Sequence, residues 1–161
     1  MKQDQKLIHP TRIRRIRTQG YLQQSDQEIS ALAFGNRFAY RLCTAILAIG
    51  VATANIPLLS VMMTIAFLGV VLPNHPFDYI YNHWLRHQLN KPKLPPRSKQ
   101  LKFACTMATT MIGITIYLFA NEMMLAGYLF GGHLIIVASL VSTIDYCIPS
   151  IVYNSIFRIK I

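Results

Sequence analysis

Apolar residues occur in two long blocks, separated by the polar, proline-rich stretch 73–102 (PNHPFDYIYNHWLRHQLNKPKLPPRSKQLK). Each block is too long for one membrane crossing, because about 20 helical residues already span the hydrocarbon core. A turn signal lies near the middle of each block, Asn55-Ile56-Pro57 in the first and Asn121-Glu122 in the second. The pattern therefore predicts an all-α membrane protein with four transmembrane helices arranged as two hairpins.

The four spans are predicted over about 38–56, 58–72, 101–120 and 123–146. The second span is short, about 22 Å as a helix, so we expect local thinning of the bilayer around it. We interpret residues 29–161 as one membrane domain and residues 1–28 as a basic cytoplasmic arm. The spacing Ser25-x-x-Glu28 is typical of a capping box, which predicts that a helix begins there.

Between the hairpins, the sequence predicts an amphipathic helix over about 76–89 that lies at the membrane interface. Asn74 is positioned to cap it, and Pro76 and Asp78 are favoured in a first helical turn. Apolar residues recur at intervals of three and four, and Trp and Tyr are typical of the interface. These residues are Phe77, Ile80, Tyr81, Trp84 and Leu85.

Two further segments are predicted from prolines. We expect an extended linker over 91–96 and, after Cys147-Ile148-Pro149-Ser150, a last interfacial turn over 151–157.

The positive charges predict the orientation. The chain has 16 Lys and Arg against 6 Asp and Glu. All 16 lie in the arm, at Arg37 and Arg41, in the central stretch or in the tail, whereas the two predicted opposite loops hold none. The positive-inside rule therefore predicts that both termini and the central stretch are cytoplasmic.

The composition indicates the class of partner. With 53% hydrophobic and 14% charged residues, and with cations only beside apolar spans, we expect anionic headgroups rather than nucleic acid as the partner.

The arm has two interpretations, a flexible topogenic tail or a segment that binds headgroups or a partner protein. We expect headgroup or partner contacts at eight residues: Arg12, Arg14, Arg15, Arg17, Trp84, Arg86, Lys91 and Lys93.

The three cysteines do not have the spacing of a zinc ribbon or of a thioredoxin motif, so no disulfide framework is expected. The topology places Cys43, Cys105 and Cys147 within roughly 8 Å of the same membrane face. Cys147 is the candidate catalytic thiol. If Pro149 is the first residue of the closing helix, the helix dipole lowers the pKa of Cys147, which Asp145 opposes. The alternative is a buried, unreactive cysteine.

His133 is the deepest ionisable residue, about 15 Å into the fourth span, and is the candidate cofactor ligand. Gly127, Gly131 and Gly132 beside it would let another helix or a flat macrocycle approach closely. No other span contains a histidine, which disfavours a haem held by two histidines. Alternatively, His133 hydrogen-bonds to another helix, through Thr109, Thr110 or Ser60. The cofactor, if there is one, is unknown.

The remaining candidate is a metal site. His83 and His87 have a spacing that can chelate a metal, with His75 or Asp78 to complete the set. No second histidine pair or Glu-x-x-His accompanies them, so we predict no metal. We expect the methionines of the spans to serve packing rather than copper binding.

From about Ile29 to Phe157, the chain resembles an uncharacterised family of small bacterial membrane proteins, a domain of unknown function. The resemblance lies in two hairpins around a polar linker and in a closing Cys-x-x-Cys-type motif, here Cys147-Ile148-Pro149-Ser150. Some family members are joined to or encoded beside thioredoxin-like or rhodanese-like modules, which would imply thiol chemistry at the cytoplasmic face. Ser150 replaces the second cysteine, so an intramolecular disulfide within the motif is impossible.

Three functions follow as predictions. The first is a non-catalytic accessory or scaffold subunit of an assembly in the bacterial inner membrane, docked on a membrane-protein partner through the glycines and the basic face. The second is a thiol redox or sulfur-relay protein that uses Cys147. The third is a cofactor-binding membrane subunit that uses His133.

Overall fold

The structure is a computed structural model that describes residues 7–159. The first six residues of the predicted arm, and Lys160 in the tail, lie outside the described residues. Residues 7–159 form helices and connecting segments, with no β-strand among them. The helices are α1 Pro10–Arg17, α2 Asp26–Ala52, α3 Ile56–Val71, α4 Pro76–Gln88, α5 Lys99–Ala120, α6 Met124–Ile144 and α7 Ile148–Ile156.

Local sequence signals explain where α2 and α3 begin. The predicted capping box is present, because Ser25 accepts a hydrogen bond from the Glu28 amide and Glu28 accepts one from the Ser25 amide. Helix α2 then continues for 27 residues, so the predicted interfacial turn and first span form one helix. Asn55 caps α3 by accepting from the Leu58 amide at 2.9 Å.

The predicted cap of α4 at Asn74 is wrong, because His75 takes that position. The Nδ1 atom of His75 accepts from the Phe77 amide, and Asp78 accepts from the His75 amide. Asn74 instead donates to the Pro95 carbonyl at 3.0 Å, so its side chain fastens the linker. In the middle of α4, Tyr81–Leu85 form a π-helical turn.

Helix α4 buries its polar side rather than its apolar side. Asp78 and Asn82 are buried, while Trp84 is 66% exposed. Asn82 exchanges two hydrogen bonds with the Leu94 backbone, which satisfies the buried amide. Of the predicted apolar face, only Tyr81 is fully buried. The exposed apolar residues of α4 are therefore free to lie against a lipid interface.

Four helices pack in a ring in the order α2, α3, α5, α6, with α6 closing onto α2. Their core includes Leu47, Leu59, Met62, Ile112 and Leu134. Helix α7 packs beside α5, and α1 packs beside α2.

Helix α1 shows that the flexible-tail interpretation is wrong for residues 10–17. Ile13 is 7% exposed and Ile16 is fully buried, both in a cluster with Ile29, Leu32 and Tyr81. The alternation of Arg12, Arg14, Arg15 and Arg17 with Ile13 and Ile16 gives α1 an apolar side that docks on α2.

Helices α5 and α6 are long and apolar enough to cross a membrane, which indicates a membrane protein. Helix α3 has 16 residues, and together with α4 it would make a third span only if the two, bent by 77°, count as one broken span. Helix α2 is long enough but carries Asp26, Glu28, Arg37 and Arg41.

Candidate functional site

A cavity of about 300 Å³ lies inside the helix ring, and all three cysteines line it. Cys43 comes from α2, Cys105 from the second turn of α5, and Cys147 from the residue before α7. Most of the wall consists of Ala, Leu, Met, Ile and Val side chains. Among the described lining residues, the only charged side chain is that of Arg97, and His75 is its neighbour there. The fold therefore brings three thiols from distant parts of the chain to one apolar space.

Arg97 and Asp78 form a buried ion pair at this cavity. The Arg97 Nε atom donates to Asp78 Oδ2 at 2.6 Å, and Nη2 donates to Oδ1 at 3.1 Å. Their side chains are only 6% and 5% exposed. Burial disfavours the guanidinium cation, but the Asp78 carboxylate, together with Cys105 and Tyr40, outweighs this and raises the pKa of Arg97 above its usual value. Arg97 Nη1 points to Cys105, at 3.7 Å from Sγ.

His75 connects two of the thiols. Its Nδ1 atom accepts from the Phe77 amide, so the proton of the neutral ring is on Nε2, which lies 3.8 Å from Cys43 Sγ. On its other side, a Cβ atom added to Gly69 would lie 2.6 Å from His75 Cδ2 and 3.0 Å from Cys105 Sγ. Because Gly69 has no side chain, His75 and Cys105 can both lie against its Cα atom.

Burial, reinforced by the nearby Arg97 cation, lowers the pKa of His75 to about 4. An unfolded histidine titrates near pH 6.5, so between these values the unfolded chain binds the extra proton. We expect the contribution of His75 to stability to be complete above pH 6.5 and to fall by about 3 kcal/mol as the pH drops to 4. The His75→Asn variant keeps a cap acceptor without titrating. Unfolding by SDS in mixed micelles from pH 7 to 4 should therefore show a flatter pH dependence for the variant than for wild type.

Cys147 is the N-cap residue of α7, and Pro149 is in the second rather than the first helical position. Cys147 is 2% exposed. Burial raises the pKa of its thiol, which outweighs the Ser150 hydroxyl that donates to Sγ at 3.1 Å. The expectation of a lowered pKa is therefore wrong, because desolvation is stronger than the helix-terminal effects. Ser150 stands where the resemblance implied a second cysteine, and its hydroxyl donates a hydrogen bond to Cys147, the first cysteine of the motif.

Asp145, next to the cavity, joins α6 to the arm. It is fully buried and lies at the C-cap of α6 with φ 59°, a left-handed conformation. Arg12 Nε donates to its carboxylate at 2.5 Å and Arg37 Nε at 2.7 Å. A carboxylate at a helix C-terminus is repelled by the helix dipole, so the two arginines supply the compensating charge. The sequence presents Asp145 only as a neighbour of Cys147, so sequence reasoning missed this cluster of ion pairs.

The predicted headgroup contacts divide into two groups. Three residues of the arm bind to the chain itself: Arg12 to Asp145, Arg15 to the Ile144 carbonyl and Arg17 to Asp26. Arg86 also donates to a backbone carbonyl, that of Asn82. The exposed members are Arg14, Trp84 and Lys93, and Lys91 is half-buried.

His133 is exposed on α6 and also lines the cavity. The hydroxyls suggested as its partners donate elsewhere, since Thr109, Thr110 and Ser60 each donate to a carbonyl of their own helix.

The glycines of α6 lie in different surroundings. A Cβ at Gly127 would lie 2.5 Å from the Phe119 ring, and one at Gly131 would lie 2.8 Å from Val51. These two glycines allow close packing within the chain. At Gly132, a Cβ would meet no atom of the described residues within 4 Å.

Within residues 7–159, no group of three His, Cys, Asp or Glu side chains is arranged to hold a metal ion. His83 and His87 are exposed, whereas His75 and Asp78, proposed to complete their set, are buried. The four side chains therefore do not converge.

A family model described as a domain of unknown function, DUF4395, matches residues 34–158 of the chain. This range includes the three cysteines, His75, Arg97 and Asp145. No protein of curated function and no solved structure matches the chain.

Proposed function

We propose that this chain, which belongs to the DUF4395 family because the family model covers residues 34–158, is a membrane protein that performs thiol–disulfide exchange in the cavity of its helix ring. The observation that carries the proposal is that Cys43, Cys105 and Cys147 line one cavity although they are far apart in sequence. Thiols that exchange disulfides must be neighbours, because one thiol resolves the mixed disulfide formed on another.

Cys105 is the central thiol of the proposed exchange. It shares the space beside Gly69 with His75, whose Nε2 atom lies 3.8 Å from Cys43 Sγ. Its helix α5 packs against α7, which begins directly after Cys147. The Arg97 guanidinium, 3.7 Å away, offsets part of the cost that burial imposes on a thiolate at Cys105. Cys105 is thus the best placed of the three both to attack a disulfide and to pass it on.

For the placement in the membrane, we propose four crossings by α2, α3, α5 and α6, with both termini and the 73–102 stretch in the cytoplasm. The ring supports this, since α2 and α3 pack side by side with the two helices that are long and apolar enough to cross. The sequence has no Lys or Arg between Arg41 and Arg86 or between Lys102 and Arg158, which the positive-inside rule requires of the opposite side. The exposed Arg14 and Lys93 are the proposed contacts for anionic headgroups, and the bacterial inner membrane is the proposed location.

The accessory-subunit function and the cofactor function stay predictions. The geometry favours thiol exchange over the accessory-subunit function, because the residues predicted to dock on a partner already contact the chain itself. These residues are Gly127, Gly131, Arg12, Arg15 and Arg17. Gly132 and the exposed His133 remain the surface that a partner helix or a cofactor would use.

The proposal predicts that the purified full chain, in lipid nanodiscs, reduces a small neutral disulfide. With one equivalent of 2,2′-dipyridyl disulfide per chain, we expect two pyridinethione molecules to be released per molecule of reagent consumed, the second by attack of a neighbouring cavity thiol on the mixed disulfide. Absorbance follows the release, and mass spectrometry identifies the protein disulfide. Cys105→Ser should lose most of the second release, while Cys43→Ser and Cys147→Ser each retain one neighbouring pair.

A variant in which all three cysteines are Ser controls for background release. If wild type releases no pyridinethione, or if each cysteine retains its own mixed disulfide without a second release, the cavity thiols do not form an exchange site.

A further inference from the structure

The cavity is closed on the side where Cys147 meets the arm. Asp145 and Gln19 are both fully buried, and Gln19 donates to the Asp145 carbonyl at 2.9 Å. Asn36 donates to the other end of the Gln19 amide at 3.0 Å, and Ser98 donates to the Gln19 carbonyl. The polar groups of this network form their hydrogen bonds with one another inside the protein. Water or a polar substrate would therefore have to break several buried hydrogen bonds to reach the cavity from this side. We name these five residues, Gln19, Asn36, Ser98, Asp145 and Cys147, the capped end.

Residues of α7 also form hydrogen bonds beside the capped end. Asn154 donates to the Thr18 carbonyl at 2.8 Å and accepts from Gln100 at 3.1 Å. Ser150 is fully buried against Cys147. Helices α1, α2, α5 and α7 are therefore all joined around the capped end.

The cavity is open on its flank, between α5 and α6. Among the described lining residues, His133 on α6 is the exposed one. The lining residues of α5 that are only half-buried, Ala104, Met107, Ala108 and Met111, lie along the same side. Near their connecting turn the two helices touch, through Gly127 against Phe119 and Gly131 against Thr115. Farther from the turn they leave the opening beside His133.

This flank belongs to the two helices that are long and apolar enough to cross a membrane. Its outer surface carries Leu129, 68% exposed, and Ile136, 63% exposed, which are typical of contact with lipid. A molecule that enters beside His133 therefore comes from the hydrocarbon region and passes along an apolar wall to the thiols.

Because the cavity is closed at the capped end and open on its flank, we infer that its substrates are lipid-soluble disulfides or persulfides that enter from the bilayer between α5 and α6. This inference rests on the proposed thiol exchange and names its substrate class. A cavity thiolate attacks one sulfur of the substrate, a mixed disulfide forms, and the other sulfur leaves as a thiolate that takes up a proton. A second cavity thiol then displaces the bound half. The protein gains one disulfide, and the substrate is reduced to two thiols, or from a persulfide to one thiol and hydrogen sulfide.

The test compares two maleimides in nanodiscs, an N-alkyl maleimide and a maleimide with a sulfonate group, with labelling at each cysteine read by mass spectrometry. We expect the alkyl reagent to label Cys105 at least tenfold faster than the sulfonate reagent. A cysteine introduced by Ser155→Cys, at an exposed position of α7, is the reference that both reagents reach.

Narrowing the opening tests the route itself. His133→Trp should lower the alkyl labelling of Cys105 about tenfold, whereas Leu125→Trp, 74% exposed on the same helix near the turn where α5 and α6 touch, should leave it unchanged. Ala108→Phe narrows the opening from α5 and keeps the test valid if the first variant folds poorly.

Equal labelling by the two reagents, or unchanged labelling in both narrowed variants, would overturn entry from the bilayer, while pyridinethione release could still support thiol exchange. Conversely, selective alkyl labelling through the opening without any release would leave the route standing and remove the exchange function.

Discussion

Replacing Asp145 by Asn should destabilise the protein by about 3–5 kcal/mol, the largest single effect we expect from the cluster of Asp145 with Arg12 and Arg37. Asp145 is fully buried, and its carboxylate accepts from Arg12 and Arg37. Removing the negative charge leaves two arginines without a counter-charge, one of them, Arg37, only 14% exposed. Asparagine tolerates the left-handed conformation that Asp145 adopts, so this variant removes the charge without adding backbone strain.

Unfolding by SDS in mixed micelles measures this change. The matched control is Asp26→Asn, which breaks the pair between Arg17 and Asp26, whose side chains are 30% and 58% exposed. A pair exposed to this extent contributes at most about 1 kcal/mol, because solvent screens it. Equal losses in the two variants would show that Asp145 does not hold the arm to α6.

The elements of the fold follow from local signals, which is why the sequence predicts them. Helix α2 starts at a capping box, α3 starts at Asn55 followed by proline, and α5 and α6 are continuous apolar runs. Each of these signals lies within a few residues of the feature that it determines. The sequence also places the three cysteines at one level, because helical rise and the direction of each span suffice for that.

The polar clusters could not be predicted, because they join segments that no sequence spacing relates. Arg12 and Asp145 are 133 residues apart, and Arg37 and Asp145 are 108 apart. In the sequence both arginines have the pattern of headgroup contacts, and nothing distinguishes an arginine that binds lipid from one that binds a buried carboxylate. The one signal in the sequence is that the six acidic residues of this basic chain include Asp145, which ends an apolar span. Such a carboxylate needs a cation.

Which side of α4 packs against the rest of the chain could not be predicted, for a related reason. The hydrophobic pattern identifies two sides of a helix, but the side that is buried depends on the partner. The linker presents backbone groups at Leu94 and Pro95 and the guanidinium of Arg97, so the side with Asp78 and Asn82 becomes the buried one. The same contacts bring Arg97 to the cavity, and they therefore connect the polar linker with the thiols.

The pair of Asp78 and Arg97 predicts a second large effect, best measured as a double-mutant cycle. Asp78→Asn leaves a buried guanidinium without its carboxylate, and Arg97→Met leaves a buried carboxylate without its cation. Each single variant should lose about 3–5 kcal/mol of stability. The double variant has neither charge, and the new amide side chain at position 78 can still accept from the His75 amide, so it should be more stable than either single variant. The expected coupling is about 2 kcal/mol or more.

The cycle also separates the structural from the chemical role of Arg97. If the ion pair acts only on folding, the folded double variant should react with 2,2′-dipyridyl disulfide as wild type does. If the guanidinium favours the Cys105 thiolate from 3.7 Å, as we propose, the double variant should fold and yet release pyridinethione about tenfold more slowly at neutral pH. The rate should recover as the pH is raised, because alkali then supplies the thiolate. A folded double variant with the wild-type rate at neutral pH would remove Arg97 from the exchange site and leave it a role in folding alone.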